Sequence, residues 1–256
     1  MLRGAAARAA GGVHSVTRAV LVTRAPADCA ELEARLRPAG LAVRPYPVLR
    51  LQEADDPAGW RAIRRLLVDP PGQPWLVIAS PRAPERLVRQ ARGRSADALL
   101  DWPAAAVGAS TAAAAARAGL RTALVGHGSG LGLARELIAR LAPHDPVVLA
   151  CGADRRPELP EALAAAGHQV YPVVVYAMQP TPVGELPPPG PELAAVVLTS
   201  PRSAGLYLEA VGGRPLPLPH WALGSTTRDA AAALGIDCRV PVSPTMESLA
   251  EELCRT

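Results

Sequence analysis

The sequence predicts an α/β protein made of two similar halves with a cleft between them. Short runs rich in Val, Ile and Leu alternate with stretches whose apolar residues recur at helical spacing, which is the pattern of an α/β fold. Several motifs of the first half return in the second half in the same order. At 256 residues the chain can form one large core or two smaller ones.

The first elements are a strand, a helix and an extended connection. Residues 19–23 form a buried strand, and residues 29–39 follow as a helix that ends at Gly40. Residues 41–51 are extended but contain Pro45 and Pro47. Because proline cannot donate a hydrogen bond within a sheet, this stretch is predicted to be an edge strand or a connector.

The same alternation continues to the end of the chain. Further strands are predicted at residues 75–79, 104–107, 122–125, 147–150, 170–176, 194–199 and 221–224. Further helices are predicted at residues 83–90, 111–118, 131–141, 160–166 and 249–254.

Three pairs of segments indicate an internal duplication. Residues 78–82 (Ile-Ala-Ser-Pro-Arg) resemble residues 198–202 (Leu-Thr-Ser-Pro-Arg), and residues 107–112 resemble residues 223–228. Residues 20–24 resemble residues 147–151, and each is followed by a helix and then by Ala-Gly and an extended run. Since the pairs keep their order and spacing, we predict two α/β halves of related structure.

The repeated motifs each lie where a strand ends and a helix begins. In open α/β sheets ligands bind beyond the carboxyl ends of the strands, and free N–H groups at helix starts attract anions there. Ser and Thr in these loops add hydroxyl donors and cap the helices, while Gly allows a close backbone approach. Four such loops predict donors for a large polyanion. They contain Ser80, Ser200, Gly108 with Thr111, and Gly224 with Thr227, and Arg24, Arg82 and Arg202 accompany them.

The composition excludes several classes of enzyme. The chain has no lysine, so it cannot form a lysine Schiff base, anchor pyridoxal phosphate or supply a P-loop lysine. The four cysteines and five histidines show no metal-binding spacing, and neither a metal nor an organic cofactor is predicted. The glycine-rich segment 126–132 lacks the acidic partner of a dinucleotide-binding fingerprint.

The charge and the hydrophobic pattern limit the kinds of partner that the sequence predicts. The formal net charge is +4, but the arginines do not form the stripe of a nucleic-acid-binding protein. No apolar run reaches 18 residues, so no membrane span is expected. The unpaired cysteines favour a reducing compartment, and we expect a cytoplasmic monomer. Residues 1–17 are either an unstructured extension or a short transit peptide.

The ordered set of motifs resembles the uroporphyrinogen-III synthase family over about residues 19–254. The matching segments are residues 21–24, 80–82, 107–108, 111–112, 151–152, 175–176, 199–201, 224–227, 244–245 and 248–250. Ser225 departs from the family pattern, in which proline is common at that position, and residues 1–17 match no part of it.

The resemblance implies a fold and a domain arrangement. It implies two flavodoxin-like or Rossmann-like α/β domains with parallel sheets, joined by a two-stranded connector, with the site in the cleft between them. The first domain would be discontinuous, comprising residues 18–46 and 181–256, and the second would span residues 50–175. The connectors would lie near residues 45–51 and 171–182, where prolines occur.

The resemblance also implies an activity, that of a cofactor-free cyclising lyase of porphyrin and haem biosynthesis. Its small-molecule substrate, the linear tetrapyrrole hydroxymethylbilane, carries eight carboxylates and closes to uroporphyrinogen III with inversion of ring D and loss of water. Tyr176, at the end of the predicted strand 170–176, matches the family's implicated tyrosine and is the predicted catalytic donor to the leaving hydroxyl. The predicted substrate-binding residues are Thr23, Arg24, Ser80, Arg82, Gly108, Thr111, Gly152, Ser200, Gly224, Thr226 and Thr227.

Two other functions remain compatible with the residues alone. A non-catalytic two-lobed ligand-binding protein would share the duplicated lobes and the cleft, and a secretion signal would favour it. A two-domain sugar or nucleotide transferase would need a nucleotide-binding motif, which is missing. Tyr176 has its own alternative, as a residue that only packs the connector.

Overall fold

The computed structural model describes residues 18–190 and 192–255 and divides them into two compact units. The first unit combines the described residues up to Arg50 with those from Pro180 onward, and the second is Leu51–Gln179. The predicted extension 1–17 lies outside the described residues. Within the described ranges, no helix has the length and apolar character needed to cross a membrane.

The first unit is built on a parallel sheet with helices on both faces. Its strands follow the order β11 (Cys238–Arg239), β10 (His220–Ala222), β9 (Leu193–Leu198), β1 (Ala19–Val22) and β2 (Ala42–Pro45). Its helices are α1 (Ala30–Leu36), α7 (Pro201–Ala210), α8 (Ser225–Ala232) and α9 (Met246–Cys254).

Strand β1 illustrates why this sheet is covered on both faces. Val20 and Val22 pack in one cluster with residues of α1 and α9, whereas Leu21 packs in another with residues of α7 and α8. All four residues of β1 are buried, which is typical of a central strand in a parallel sheet with helices on each side.

The second unit has the same layered construction. Its strands follow the order β3 (Leu49–Glu53), β8 (Val170–Pro180), β7 (Val147–Gly152), β4 (Trp75–Ile78), β5 (Ala104–Ala106) and β6 (Thr122–Val125). Its helices are α2 (Pro57–Val68), α3 (Pro84–Gly93), α4 (Ala109–Arg117), α5 (Gly130–Ile138) and α6 (Glu158–Ala165). One hydrophobic cluster lies on each face of the sheet. The chain passes between the units within β3 and again within β8.

Apart from the additional strand β3 of the second unit, the two sheets share one strand order, which confirms the predicted duplication. The order β11-β10-β9-β1-β2 of the first unit corresponds to β6-β5-β4-β7-β8 of the second. The repeated segments therefore occupy equivalent places: Ser80 follows β4 as Ser200 follows β9, and Gly108 follows β5 as Gly224 follows β10.

The predicted fold class is confirmed, and two elements are additional. Residues 41–51 contain β2 and the start of β3, which are edge strands of their sheets, as the prolines of this stretch predict. Helix α2 and strand β11 are missing from the prediction, which gave α7 and α8 only as helix starts after Ser200 and Gly224, without bounds. The sequence signal for α2 was present, because Trp60 and Ile63 lie at helical spacing after Asp56, a residue type that caps helices. In the structure both apolar residues are fully buried, and Asp56 caps the helix by accepting from the Gly59 N–H.

Candidate active site

A cavity of about 500 Å³ opens at the carboxyl ends of β4, β5 and β7 in the second unit. Ser80 lines it from the end of β4, Val107 from the end of β5 and Gly152 from the end of β7. Ser129 lines it from the start of α5, and Tyr176 from β8. Ligands bind at this edge in open α/β sheets, and the volume falls within the range of about 300–1,000 Å³ that is usual for small-molecule sites.

Tyr176 reaches the cavity through an irregularity in the pairing of β7 with β8. Cys151 pairs with Val174, but Gly152 pairs with Tyr176, so one residue of β8 is skipped. The N–H of Ala153 then donates to the Tyr176 carbonyl at 2.9 Å. Bulges of this kind re-aim a side chain and are frequent beside functional sites. The prediction that Tyr176 ends its strand is wrong, because β8 continues beyond it.

The missing side chain of Gly152 makes room for the Tyr176 ring. A Cβ atom at position 152 would lie 2.6 Å from both Cε2 and Cζ of the tyrosine and 2.9 Å from its hydroxyl oxygen. Nonbonded carbon atoms normally stay about 3.5–4.0 Å apart, so only glycine allows this position of the ring. Gly152 therefore has a positioning role toward Tyr176, while its contact with a substrate stays a prediction.

Ser80 and Ser200 occupy equivalent places but have different roles. Ser200 is the N-cap of α7: its hydroxyl accepts from the Ser203 N–H at 3.1 Å, and Ser203 Oγ accepts from the Ser200 N–H at 2.9 Å. The Ser80 hydroxyl instead accepts from the N–H of the exposed Arg82 at 3.2 Å, and α3 begins only at Pro84. The predicted capping is thus confirmed for Ser200 and wrong for Ser80, whose half-buried side chain lines the cavity.

Gly108 and Thr111 begin α4 next to the glycine-rich segment 126–132. Gly108 takes the N-cap position, and a Cβ atom on it would lie 3.2 Å from the Cα atom of Gly128. Thr111 is the third residue of the helix and is 1% exposed. Within the described ranges its hydroxyl has no hydrogen-bond partner, which is uncommon for a buried polar atom.

The equivalent loop of the first unit has the same arrangement. Gly224 is the N-cap of α8, Thr227 is its buried third residue, and Thr226 is exposed. The expectation that Thr111 and Thr227 cap their helices is therefore wrong, because glycine holds the N-cap position in both loops.

Thr23 lies at the end of β1 in a network of hydrogen bonds. Its hydroxyl oxygen lies 3.1 Å from the Val197 carbonyl oxygen and 3.2 Å from Ser203 Oγ, and it accepts from the Thr199 N–H at 3.2 Å. These bonds connect the ends of β1 and β9. Thr23 is buried, whereas the adjacent Arg24 is partly exposed. A role in substrate binding stays a prediction for both.

Two arginines line the cavity although the predicted site did not include them. Arg155 and Arg156 lie in the loop between β7 and α6, directly after the predicted Cys151-Gly152 motif, and this place after a strand end was their sequence signal. The guanidinium of Arg155 is close enough to the buried thiol of Cys151 to act on its pKa. Burial raises the pKa of that thiol to about 11, despite the opposing effect of Arg155, so the thiol is neutral at pH 7.

The glycine-rich segment 126–132 also contributes to the cavity. Ser129 caps α5 by accepting from the Gly132 N–H at 3.0 Å, and Gly128, Gly130 and Leu131 line the cavity with it. Gly128 has a φ of +91°, a conformation that suits glycine. In residues 18–190 and 192–255, no group of three or more His, Cys, Asp and Glu side chains is placed to hold a metal ion.

Comparisons with known proteins concern the whole chain. A family model described as uroporphyrinogen-III synthase HemD matches residues 30–251. The fold is similar to that of uroporphyrinogen-III synthetase from Helicobacter pylori, with a TM-score of 0.63, 16% identity, and coverage of 93% of this chain and 98% of that one. It is also similar to a mutant uroporphyrinogen III synthase from the extremely thermophilic bacterium Thermus thermophilus, with a TM-score of 0.55, 19% identity, and coverage of 93% and 98%. No curated protein sequence matches the chain.

Proposed function

The chain belongs to the uroporphyrinogen-III synthase family, whose members are cyclising lyases of haem biosynthesis, and we propose that the cavity at Tyr176 is where it acts on hydroxymethylbilane. The observation that carries this proposal is the pairing of Gly152 with Tyr176, which places a phenol ring in a cavity at the ligand-binding edge of the sheet.

The proposed reaction joins the two ends of a linear tetrapyrrole. Loss of the hydroxyl from the hydroxymethyl group at one end leaves an electrophilic azafulvene, because the pyrrole nitrogen supplies the electron pair. The substituted carbon of ring D, at the other end, attacks the azafulvene carbon and forms a spiro intermediate. Cleavage of the bond that joined ring D to ring C leaves a second azafulvene, on ring C. The free α carbon of ring D, on the other side of the ring nitrogen, attacks this azafulvene and loses its proton, so that ring D ends inverted. Water is the only other product, and the pyrroles supply the electrons.

Tyr176 is proposed to assist the first step. Its hydroxyl would donate a hydrogen bond to the leaving hydroxyl group as the C–O bond breaks, so that charge developing on the oxygen is stabilised. The rest of the catalysis is orientation, because the enzyme must hold a flexible chain in the one folded shape that brings ring D to the azafulvene carbon.

The substrate carboxylates are proposed to bind fixed hydrogen-bond donors of the chain. The fixed donors in this proposal are backbone N–H groups at the starts of helices and the hydroxyls near them. The residues concerned are Thr23, Arg24, Ser80, Arg82, Gly108, Thr111, Gly152, Ser200, Gly224, Thr226 and Thr227. Thr23 and Ser200 already have internal hydrogen bonds, so we expect them to act through backbone groups or through the positions of their neighbours.

The proposal also concerns the oligomeric state, the location and the partners of the enzyme. A family of this kind acts on a small-molecule substrate, and we propose that the chain works as a monomer in the cytoplasm, without a nucleic-acid partner. Size-exclusion chromatography with light scattering would test the first part, and a stable dimer at micromolar concentration would contradict it.

The direct test is to give the purified protein freshly made hydroxymethylbilane and to identify the product. Without an enzyme this substrate closes to the type I isomer, in which ring D is not inverted. We expect the type III isomer, formed at the same rate after exhaustive chelation and dialysis. Only type I product would contradict the function, and loss of activity that an added metal or organic cofactor restores would contradict the cofactor-free mechanism.

A further inference from the structure

Arg155 and Arg156 differ from several other arginines of this protein in having no carboxylate partner among residues 18–190 and 192–255. Elsewhere Arg35, Arg50 and Arg89 each form an ion pair with a carboxylate at 2.6–3.0 Å. The charge of Arg155 acts instead on the neutral thiol of Cys151. A neutral thiol is a weak acceptor, and a guanidinium has five N–H donors in a planar fork. Most of its binding capacity therefore remains available to a ligand.

The cavity places this charge close to Tyr176. Strand β7 ends at Gly152, which pairs with Tyr176, and Arg155 follows Gly152 by three residues in the loop after the strand. Arg155 and Tyr176 both line one cavity at this end of the sheet. A ligand group that reaches the tyrosine hydroxyl therefore has the guanidinium close by.

The other charged groups of the cavity leave this role open. Arg156 adds a second positive charge to the wall. Of the two acids that line the cavity, Asp154 has an interaction partner of its own, and Glu158 lies in the first turn of α6, where the helix dipole favours a carboxylate.

We infer that Arg155 binds a carboxylate of ring D and so fixes the orientation in which that ring meets the azafulvene carbon beside Tyr176. The inference rests on the proposed function, because it takes its substrate from there. Arginine suits this task since its fork can hold both carboxylate oxygens at once, which fixes direction as well as distance. Ring D must present its substituted carbon before its free one, so a contact that orients the ring also selects the isomer.

The test compares Arg155→Gln with a matched control, Arg121→Gln. Arg121 is exposed and directly precedes β6, so it lies at the amino end of that strand, whereas the cavity lies at the carboxyl ends of the strands. The control therefore removes the same charge away from the cavity. We expect Arg155→Gln to raise KM by about 10-fold to 100-fold, the loss of a charge-assisted hydrogen bond. We also expect a larger fraction of type I product, and Arg155→Lys to recover the KM in part without recovering the isomer ratio. Arg121→Gln should match the wild type in all three measurements.

Substrate analogues identify the contact itself. In one analogue the acetate of ring D is replaced by methyl, and in the other the propionate is replaced by ethyl. With the wild-type enzyme, one of the two analogues should have a KM as high as the KM of Arg155→Gln for hydroxymethylbilane. With Arg155→Gln, the KM for that analogue should be no higher than the KM for hydroxymethylbilane.

The outcomes separate the inference from the proposed function. If the wild type makes no type III product, the function fails. If the wild type is active but Arg155→Gln behaves as Arg121→Gln, Arg155 does not bind ring D. The same conclusion follows if each analogue raises KM, relative to hydroxymethylbilane, as much with Arg155→Gln as with the wild type. Thermal melts of all variants show whether each is folded.

Discussion

The Tyr176 ring occupies the space that a side chain at position 152 would need. The resemblance to a known family singled out both residues, but only the structure shows that they form a pair. The reason is the bulge between β7 and β8, which shifts the pairing by one residue and brings Tyr176 opposite Gly152. Nothing in the run Val173 to Tyr176 marks the skipped residue, because valine fits a regular strand equally well.

Gly152→Ala tests this pair. The added Cβ must push the Tyr176 ring away, so we expect kcat to fall by about 10-fold to 1,000-fold, the effect of losing one transition-state donor. The control is Gly93→Ala, since a Cβ at Gly93 meets no atom within 4 Å. In a Tyr176→Ala background, Gly152→Ala should have no further effect on kcat. An equal loss of kcat in both backgrounds would show that Gly152 acts independently of the tyrosine.

His220 gives a second prediction at the scale of one residue. Its Nδ1 donates to the Leu218 carbonyl at 2.8 Å, and its Nε2 accepts from the Tyr207 hydroxyl at 2.9 Å. Burial lowers the pKa of this imidazole below its usual value, with the bond to Leu218 opposing the shift. The folded state therefore binds the proton less readily than the unfolded state.

The stability that comes from neutral His220 is complete above the ordinary histidine pKa of about 6.5 and is lost as the pH falls through the lower folded-state pKa. We expect the free energy of unfolding to drop over that interval. In His220→Gln this component of the pH dependence should be absent. Identical pH profiles for both proteins, measured by urea unfolding, would contradict the assignment.

At the scale of elements, equivalent loops of the two units have diverged. Ser200 caps α7, whereas Ser80 belongs to a turn that precedes α3 and lines the cavity. Both places have the same Ser-Pro-Arg motif, so the motif alone cannot distinguish the two loops. The difference arises further along, since Ser203 completes a capping box in the first unit and Ala83 stands at the equivalent place in the second.

Ser200→Ala and Ser80→Ala should therefore differ. Loss of the Ser200 cap should lower the free energy of unfolding by about 1 kcal/mol, while Ser80→Ala should lower it less. Ser80→Ala should in turn have the larger effect on KM for hydroxymethylbilane, because its side chain lines the cavity. Denaturant unfolding and steady-state kinetics measure both quantities. Equal stability losses in the two variants would show that the structural difference between the loops has no energetic consequence.

Thr111→Val with Thr227→Val separates binding from folding in the paired loops. Neither threonine is an N-cap, and the Thr111 hydroxyl has no partner among the described residues, so the variant should not be less stable than the wild type by more than about 1 kcal/mol. If the hydroxyls bind carboxylates, spontaneous closure competes and the type I fraction rises as the enzyme is diluted. A well-folded variant with unchanged rate and pure type III product would remove both hydroxyls from the site.

At the scale of the whole molecule, the internal duplication could be predicted from the sequence, but part of the candidate site could not. The alternation of strands and helices and the repeated motifs predict two parallel α/β sheets, and the shared strand order agrees with this. Patterns of this kind locate strand ends and so pointed to Ser80, whereas Gly152 and Tyr176 were singled out by the resemblance to the family; all three line the cavity. Arg155 was overlooked because arginines are frequent in this sequence, and only its place in the cavity distinguishes it.

The most direct test of the central claim, that Tyr176 assists ring closure in the cavity of the second unit, compares Tyr176→Phe with Tyr171→Phe. Both residues lie on β8, and each change removes one phenolic hydroxyl, but Tyr171 bonds to Gln169 and does not line the cavity. The measurement is the rate of uroporphyrinogen III formation from fresh hydroxymethylbilane at saturating substrate. We expect Tyr176→Phe to be slower than the wild type by about 10-fold to 1,000-fold with an unchanged melting temperature, and Tyr171→Phe to match the wild type. A Tyr176→Phe variant that turns over as fast as Tyr171→Phe would contradict the account.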